Sequence, residues 1–553
     1  MSAGGSELQA AVAAAFSPGG ALAAADARYR EREVQQRFAQ QVAQAIDARE
    51  VLVAEAGTGV GKTFAYLVPA LLSGLRVLIS TATKSLQDQL YLRDLPRLRE
   101  ALQVPVSVAL LKGRSSYLCL HRLQQARQSA QLPDRFAVRA LARIETWAQA
   151  TRSGDLAELE GLDERSPVIP LVTSTRENCL GSDCPEYRNC HVMKARREAM
   201  AADLIVINHH LFFADLALRD SGVAELLPSV DVAVFDEAHQ LAEAGLQFLG
   251  ATLGTGQLLD FARDMLGAGL QLARGLAPWN DLAADCDRAA RDLRIAAAGA
   301  LRDARGSIKL RWDERAQRAD FQAALDAVAR ACAAAEEALE GVDAAAPDFG
   351  KLAERATALA QRARAFGVEV EPGKVRWIDL STHQARLVES PLDVKAAMRE
   401  QIARAPKAWV FTSATLGDDE RLSWFTESAG LEEARCLRVG SPFDYPAHAR
   451  LYVPLEFPKP NEPGHPLAVA RLAARCAQAL GGRSFVLTTT LRALQTIGDA
   501  LSEALAAAPG EPIQVLVQGR SPKRQLLQQF LASPRSVLVG SQSFWEGIDV
   551  PGD

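Results

Sequence analysis

Short runs of Val, Leu, Ile and Phe recur along this chain, separated by stretches in which apolar residues return every three or four positions. The runs are Val51–Val53, Val77–Ser80, Val106–Leu111, Leu204–Ile207, Val232–Phe235 and Trp409–Phe411. They lack the alternation of a half-exposed strand and so predict strands buried on both faces. Between them lie segments of helical periodicity. One is Arg32–Ile46, with Val34, Phe38, Val42, Ala45 and Ile46; another is Lys62–Leu72, with Gly74 as its stop. This alternation predicts an α/β fold, a parallel sheet with helices on both faces. A second set begins near residue 435, with strand candidates Leu451–Val453, Phe485–Leu487, Ile513–Val517 and Val537–Val539.

Two segments interrupt the first set. Residues 112–202 hold four of the eight Cys and little strand signal; residues 242–380 are rich in Ala, Leu and Arg, with helical spacing at Ala324, Leu325, Ala327 and Val328. Loops inside a domain are normally short, so both read as inserts, the second mainly helical. The expected organisation is a loose leader over residues 1–28, then a first sheet domain from 29–111, 203–241 and 381–434. The inserts are 112–202 and 242–380, and a second sheet domain covers 435–553.

Composition narrows the class. With 553 residues and 48 % hydrophobic content, the chain is not a disordered one. Its 62 Lys and Arg against 67 Asp and Glu leave a formal net charge of −5, so only a local basic groove could track nucleic acid. There is no uninterrupted apolar run of membrane-spanning length. The Ala-rich start lacks a basic segment and is broken by Pro18, Gly19 and Gly20, which argues against a secretory signal. A cytoplasmic location is expected. In that compartment clustered Cys point to a metal or a reactive site rather than to disulfides.

The strongest chemistry follows the strand at Val51. Residues 56–63 read Ala56-Gly57-Thr58-Gly59-Val60-Gly61-Lys62-Thr63, with a helical pattern behind them. Strand, Gly-rich turn, Lys-Thr and helix in this order form a phosphate loop. The glycines let several backbone N–H groups face one point, and the helix N-terminus adds partial positive charge. Lys62 would reach the β- and γ-phosphates of ATP and Thr63 would hold Mg²⁺. A second motif, Asp236-Glu237-Ala238-His239, closes the run Val232–Phe235. Asp236 at a strand end would hold Mg²⁺ through water, and Glu237 would orient and deprotonate the attacking water.

Cys119, Cys179, Cys184 and Cys190 stand in the first insert. Four thiolates can close either a tetrahedral zinc site or a [4Fe–4S] cluster, and spacing alone does not choose. One Cys far from a group of three departs from the paired spacing of zinc sites. Around them lie Lys112, Arg114, Tyr117, Lys194, Arg196 and Arg197. Such residues suit a single-stranded nucleic acid, cations on phosphates and a ring on a base, or equally an ordinary solvated face.

The motifs in order resemble superfamily 2 helicases of the XPD/DinG group. The resemblance rests on Asp236–His239, Ser413-Ala414-Thr415, the segments 80–90 and 110–115, and Gly540–Val550. It implies two RecA-like domains, the first carrying an iron–sulfur insert and a helical arch. It implies ATP-driven 5′→3′ movement on single-stranded DNA and unwinding of forked or 5′-tailed duplexes, in repair or replication. A clamp-loader subunit of the replication machinery is an implied partner. Gln35, in Arg32-Glu33-Val34-Gln35, matches a Gln that reads adenine. Gly547 and Asp549 match nucleotide contacts. His239 and Ser413–Thr415 match elements coupling hydrolysis to domain motion, and Thr83 and Lys84 match a DNA-backbone contact. The four-Cys set matches a [4Fe–4S] site. The family continues past Gly547–Val550 with a Gln-x-x-Gly-Arg-x-x-Arg motif, so the chain reads as truncated at Asp553 with its second domain incomplete. A nuclease reading lacks a carboxylate set ahead of residue 28. A DNA-binding iron–sulfur redox sensor is the non-enzymatic alternative.

Overall fold

The computed structural model describes residues 6–27, 29–128, 135–162, 166–220, 226–301, 308–521, 523–541, 544 and 550. Strands β1 (Val51–Ala56), β2 (Val77–Thr81), β3 (Val108–Leu110), β4 (Leu204–Asn208) and β5 (Val232–Asp236) come first. Strands β6 (Ala251–Gly254), β7 (Ile308–Arg311), β8 (Lys374–Leu380) and β9 (Ala385–Pro391) follow, then β10 (Ala408–Ser413) and β11 (Arg435–Val439). The last three are β12 (Ser484–Leu487), β13 (Gln514–Val517) and β14 (Ser536–Gly540).

Seven of these form one sheet in the order β11-β1-β10-β5-β2-β4-β3, parallel throughout. Both faces are covered, which is why the strands read as continuous apolar runs. On one face Phe235 stacks on Phe411 with ring centroids 5.0 Å apart, and Phe212 meets Phe235 edge-on at 4.9 Å. The other face receives helices α1 (Glu7–Phe16), α2 (Ala21–Ala25), α3 (Glu33–Ala48) and α4 (Lys62–Leu72), with Phe38, Val42, Tyr66 and Leu67 fully buried. Because the strands are parallel, their carboxyl ends share one edge. That edge carries Ala56, Thr81, Asp236 and Ser413.

The expected loose leader is instead two ordered helices. Ser6 caps α1 by accepting the Gln9 N–H at 3.1 Å, and Gln40 donates to the Gln9 carbonyl at 3.0 Å. Val12, Phe16 and Leu22 sink into the core, each worth about 1.5–3 kcal/mol of apolar burial. By length and composition, Glu7–Ala25 is the one stretch among the described residues apolar enough to cross a membrane. The helix breaks at Ser17–Gly20, and its large side chains are inside the protein.

Three boundaries differ from expectation. The helical insert, built on Thr255–Leu272, Trp279–Ala298, Ala319–Glu340 and Pro347–Phe366, also holds an antiparallel sheet β6-β9-β8-β7. Strand β9 pairs with β6 and β8, so this insert runs to Pro391 rather than stopping at 380. Strand β11 pairs with β1, so residues 435–439 belong to the first sheet rather than to the second domain. The chain divides into a unit of 1–131, 150–154 and 170–443 and a unit of 132–149, 155–169 and 444–553. Part of the expected Cys insert therefore groups with the second unit. Its helix Arg135–Ala148 buries a stripe of Ala137, Leu141 and Ile144, the spacing of a face that must be covered.

The second unit contains the parallel sheet β12-β14-β13, with Val537, Leu538 and Val539 at its centre. Leu451–Val453, expected as a strand, is irregular and exposed.

Candidate active site

The edge at the end of β1 is built from local sequence. Strand β1 delivers the chain into the Gly-rich turn, and α4 begins at Lys62 directly behind it. Gly59 and Gly61 both have φ near +82°, the left-handed region where only glycine sits without strain. A Cβ on Gly61 would stand 2.3 Å from Gln35 Nε2, the movable end of that side chain, so it is the backbone angle that calls for glycine here. Ala56 and Val60 are buried; the Thr58 carbonyl accepts the Ser441 hydroxyl at 2.7 Å. Arg32 donates to the Gly59 carbonyl at 2.6 Å, and Gln35 donates to the Gly61 carbonyl at 3.0 Å. The Arg-x-x-Gln pair thus braces the loop from behind, and Gln35 is buried rather than on a helix surface.

Lys62 and Tyr66 lie one turn apart on α4 and face the end of β5. Lys62 Nζ is 3.7 Å from Glu237 Oε1, and the Tyr66 hydroxyl donates to Asp236 Oδ2 at 2.9 Å. Tyr66 is a site residue that sequence reasoning missed; its signal is a phenol four positions after the loop Lys in an otherwise apolar helix. Burial and the Asp236 charge push its hydroxyl well above the usual range, so it stays a donor. Burial foremost, then the Glu237 charge, lifts Asp236 to about 6 against the pull of Lys62. Two carboxylates with one ammonium leave an unbalanced negative charge beside Thr63, the donor set that a divalent cation fits. Mg²⁺ held there by Thr63 and Asp236 would balance that charge and screen the phosphates of a bound nucleotide.

The third element is Ser413 at the end of β10. Its hydroxyl lies 2.7 Å from His239 Nδ1 and donates to Glu237 Oε2 at 3.2 Å. Glu237 itself adopts a positive φ of 54°, which turns its side chain back between Lys62 and Ser413. Asp236, Glu237, His239 and Ser413 are therefore one network, although 174 residues separate His239 from Ser413. Gly547 and Asp549 lie outside the described residues.

A buried histidine sits at the neighbouring strand end. His209 follows β4, is 1 % exposed, and places Nδ1 2.8 Å from Ser80 Oγ at the end of β2. Burial is the main cause that pushes it down from 6.5 to about 3. A depressed histidine contributes stability that is complete above about pH 6.5 and is lost as pH falls toward 3. The expected size is on the order of 4 kcal/mol over that window. Urea midpoints measured from pH 7 to pH 4.5 should fall more steeply for the wild type than for His209→Gln. Equal slopes would place the ring in a solvated setting.

The four cysteines of the first insert, Cys119, Cys179, Cys184 and Cys190, lie in one region of the fold, each half-buried. Burial pushes the Cys119 and Cys184 thiols up, and the charge of nearby thiols adds to it. Arg114 donates to Cys179 Sγ at 2.9 Å. Among the described residues no three His, Cys, Asp or Glu side chains stand close enough to enclose a metal ion. In kind and number, though not in their present spacing, the four thiols suit a group that binds thiolates.

The expected nucleic-acid residues divide. Lys84 at the start of the helix Lys84–Gln89 and Arg197 are exposed, and Thr83 caps that helix by accepting the Leu86 N–H at 3.3 Å. Tyr117 is a correction: its ring is buried and its hydroxyl accepts the Lys112 N–H at 3.0 Å, so it offers no face to a base. Lys112 is likewise buried, its ammonium 2.6 Å from Asp88.

A parallel sheet whose carboxyl edge gathers a phosphate loop, an acidic pair and a serine bonded to the second carboxylate defines a P-loop nucleotide hydrolase. Residues 32–143 match the DEAD/DEAH box helicase family and residues 473–553 match the helicase C-terminal domain. The ATP-dependent DNA helicase YoaA of Escherichia coli (strain K12) is 39 % identical over 97 % of this chain and 83 % of its own length. Its counterpart in Haemophilus influenzae is 35 % identical over 98 % and 83 %. The ATP-dependent helicase DinG of Mycobacterium tuberculosis (strain ATCC 25177 / H37Ra) is 33 % identical over 94 % and 80 %. The chain belongs to the YoaA/DinG family of ATP-dependent helicases and is an enzyme of the DEAD/DEAH box kind.

Proposed function

We propose that this chain hydrolyses ATP at the carboxyl edge of the first sheet and uses the cycle to move 5′→3′ along single-stranded DNA, opening forked or 5′-tailed duplexes. The observation that carries the reading is Glu237, held between Lys62 and Ser413 beside Asp236. In hydrolysis water attacks the γ-phosphorus, the bond to the ADP oxygen breaks, and Glu237 takes the water's proton. Lys62 and the loop amides stabilise the charge gathering on the phosphoryl oxygens. Ser413 and His239 hold Glu237 in place, so a shift of β10 alters hydrolysis. The relatives' names support DNA as the track. Cys119, Cys179, Cys184 and Cys190 would hold a [4Fe–4S] cluster, and binding it would tie together separate stretches of the insert. The decisive experiment is ATP turnover with and without single-stranded DNA. Stimulation supports a helicase; tight DNA binding without turnover supports the redox-sensor alternative.

The exposed cations give a second test. Each phosphate contact releases counterion, so the slope of log K against log salt falls by about 0.7 per contact on a single strand. Lys84→Ala and Arg197→Ala should each weaken binding at low salt and flatten the slope, with little dependence on base sequence. Unchanged slopes in both would put the DNA path elsewhere. Arg114 is held at the thiol cluster, so Arg114→Ala should disturb the insert as well as the slope.

A further inference from the structure

Strand β1 is apolar except at one position. Glu55, two residues ahead of Gly57, is only 7 % exposed in the middle of a sheet. A carboxylate there costs several kcal/mol of desolvation unless it is fully paired, so its partners identify its task. One oxygen, Oε2, accepts the N–H of Leu416 at 2.7 Å and of Gly417 at 3.2 Å. The other, Oε1, takes the Arg438 guanidinium at 2.8 Å. Arg438 also donates to the Asp418 carbonyl at 3.0 Å. In register, Glu55 pairs with Ser413 on one side and with Arg438 on the other.

These bonds join three strands at one rung. They close the turn that follows Ser413-Ala414-Thr415 onto the strand that delivers the phosphate loop. Ser413 in turn holds Glu237 and His239. We propose that Glu55 is a positioning residue: it clamps the loop Ala414–Gly417 to the base of the phosphate loop, and through Ser413 sets where Glu237 stands relative to the γ-phosphate. Both its oxygens are engaged by the protein itself, Leu416, Gly417 and Arg438. The inference rests on the hydrolytic reading of the site given above. It goes beyond that reading by tying the coupling segment to the phosphate loop through one buried carboxylate. Movement of either loop is then felt by the other, because the carboxylate cannot release its amide partners without leaving them unpaired.

The test is ATP turnover by the full chain with Mg²⁺ and saturating single-stranded DNA, read as kcat and KM, alongside the affinity for a fluorescent ATP analogue. Glu55→Ala should lower kcat on the order of 10²-fold, the loss that a 1 Å misplacement of a reacting group brings, with KM and analogue affinity unchanged. Glu55→Gln should recover most of it, since its amide oxygen still accepts from Leu416 and Gly417. Wild-type kcat in Glu55→Ala overturns the proposal. So does a loss confined to KM, or a Glu55→Gln protein as slow as Glu55→Ala. Should Glu55→Ala not fold, Glu55→Asp decides: it keeps the charge and withdraws the acceptor by one methylene, and an unchanged kcat there is equally fatal. Wild type and Lys62→Ala run beside them. An inactive wild type, or an active Lys62→Ala, brings down the hydrolytic reading itself; both behaving as expected with unaltered Glu55 variants brings down the clamp alone.

Discussion

Lys62→Ala is expected to abolish ATP hydrolysis in a chain that remains folded. The ammonium is the only cation within reach of both Glu237 and the phosphate loop among the described residues, 3.7 Å from Glu237 Oε1. Without it Asp236 and Glu237 repel each other unscreened, and the transferring phosphoryl group loses its positive partner. Electrostatic contacts of this kind are worth about 10³-fold or more in rate. The fold should survive, because α4 is held by Tyr66, Leu67 and Val68 on its buried face rather than by Lys62. Circular dichroism and turnover measured together check this; retention of more than about a tenth of the rate would be far from the expected loss and would remove Lys62 from its role. Glu237→Gln should differ in kind. Its amide still accepts from Ser413 but takes no proton, so ATP and Mg²⁺ bind and are not hydrolysed. Loss of nucleotide binding instead would give Glu237 another function.

The second large effect concerns the thiols. Protein purified without oxygen should be brown and carry about four irons per chain, held by Cys119, Cys179, Cys184 and Cys190. These four come from separate stretches of the insert, and burial, with the charge of nearby thiols, pushes Cys119 and Cys184 up. Cys184→Ser should lose the iron and weaken single-strand binding. Nucleotide affinity should change little, because the phosphate-loop edge draws no ligand from this insert. Zinc in place of iron, with no visible absorbance, would assign a structural zinc site instead.

Much of the nucleotide site is legible in the amino-acid sequence, since its chemistry is local. A phosphate loop needs strand, glycines, Lys and helix in direct succession, and residues 51–72 supply them in eight positions and their flanks. Asp236 and Glu237 are legible for the same reason, as the end of an apolar run. Tyr66 and Glu55 are not. Each is an ordinary residue in its own element, and its meaning comes from a partner 170 or 361 positions away. Tyr117 fails in the opposite direction: an aromatic beside cations suggests a stacking face, and packing buries it.

The same division runs through the fold. The sequence by itself determined that the first sheet is parallel and covered on both faces, because continuous apolar runs can be stable only when both faces are dry. It determined the chemistry of the phosphate edge, because those residues act through neighbours in the chain. Only the tertiary structure decided that the Ala-rich start packs as α1 and α2, that β11 joins the first sheet, and that β6–β9 pair inside the helical insert. A strand is completed by a hydrogen-bonding partner and a helix by the surface that covers its apolar stripe, and neither is written in the segment itself. Leu451–Val453 has the composition of a strand and remains irregular, whereas Arg435–Val439, with two arginines, becomes one because β1 lies beside it.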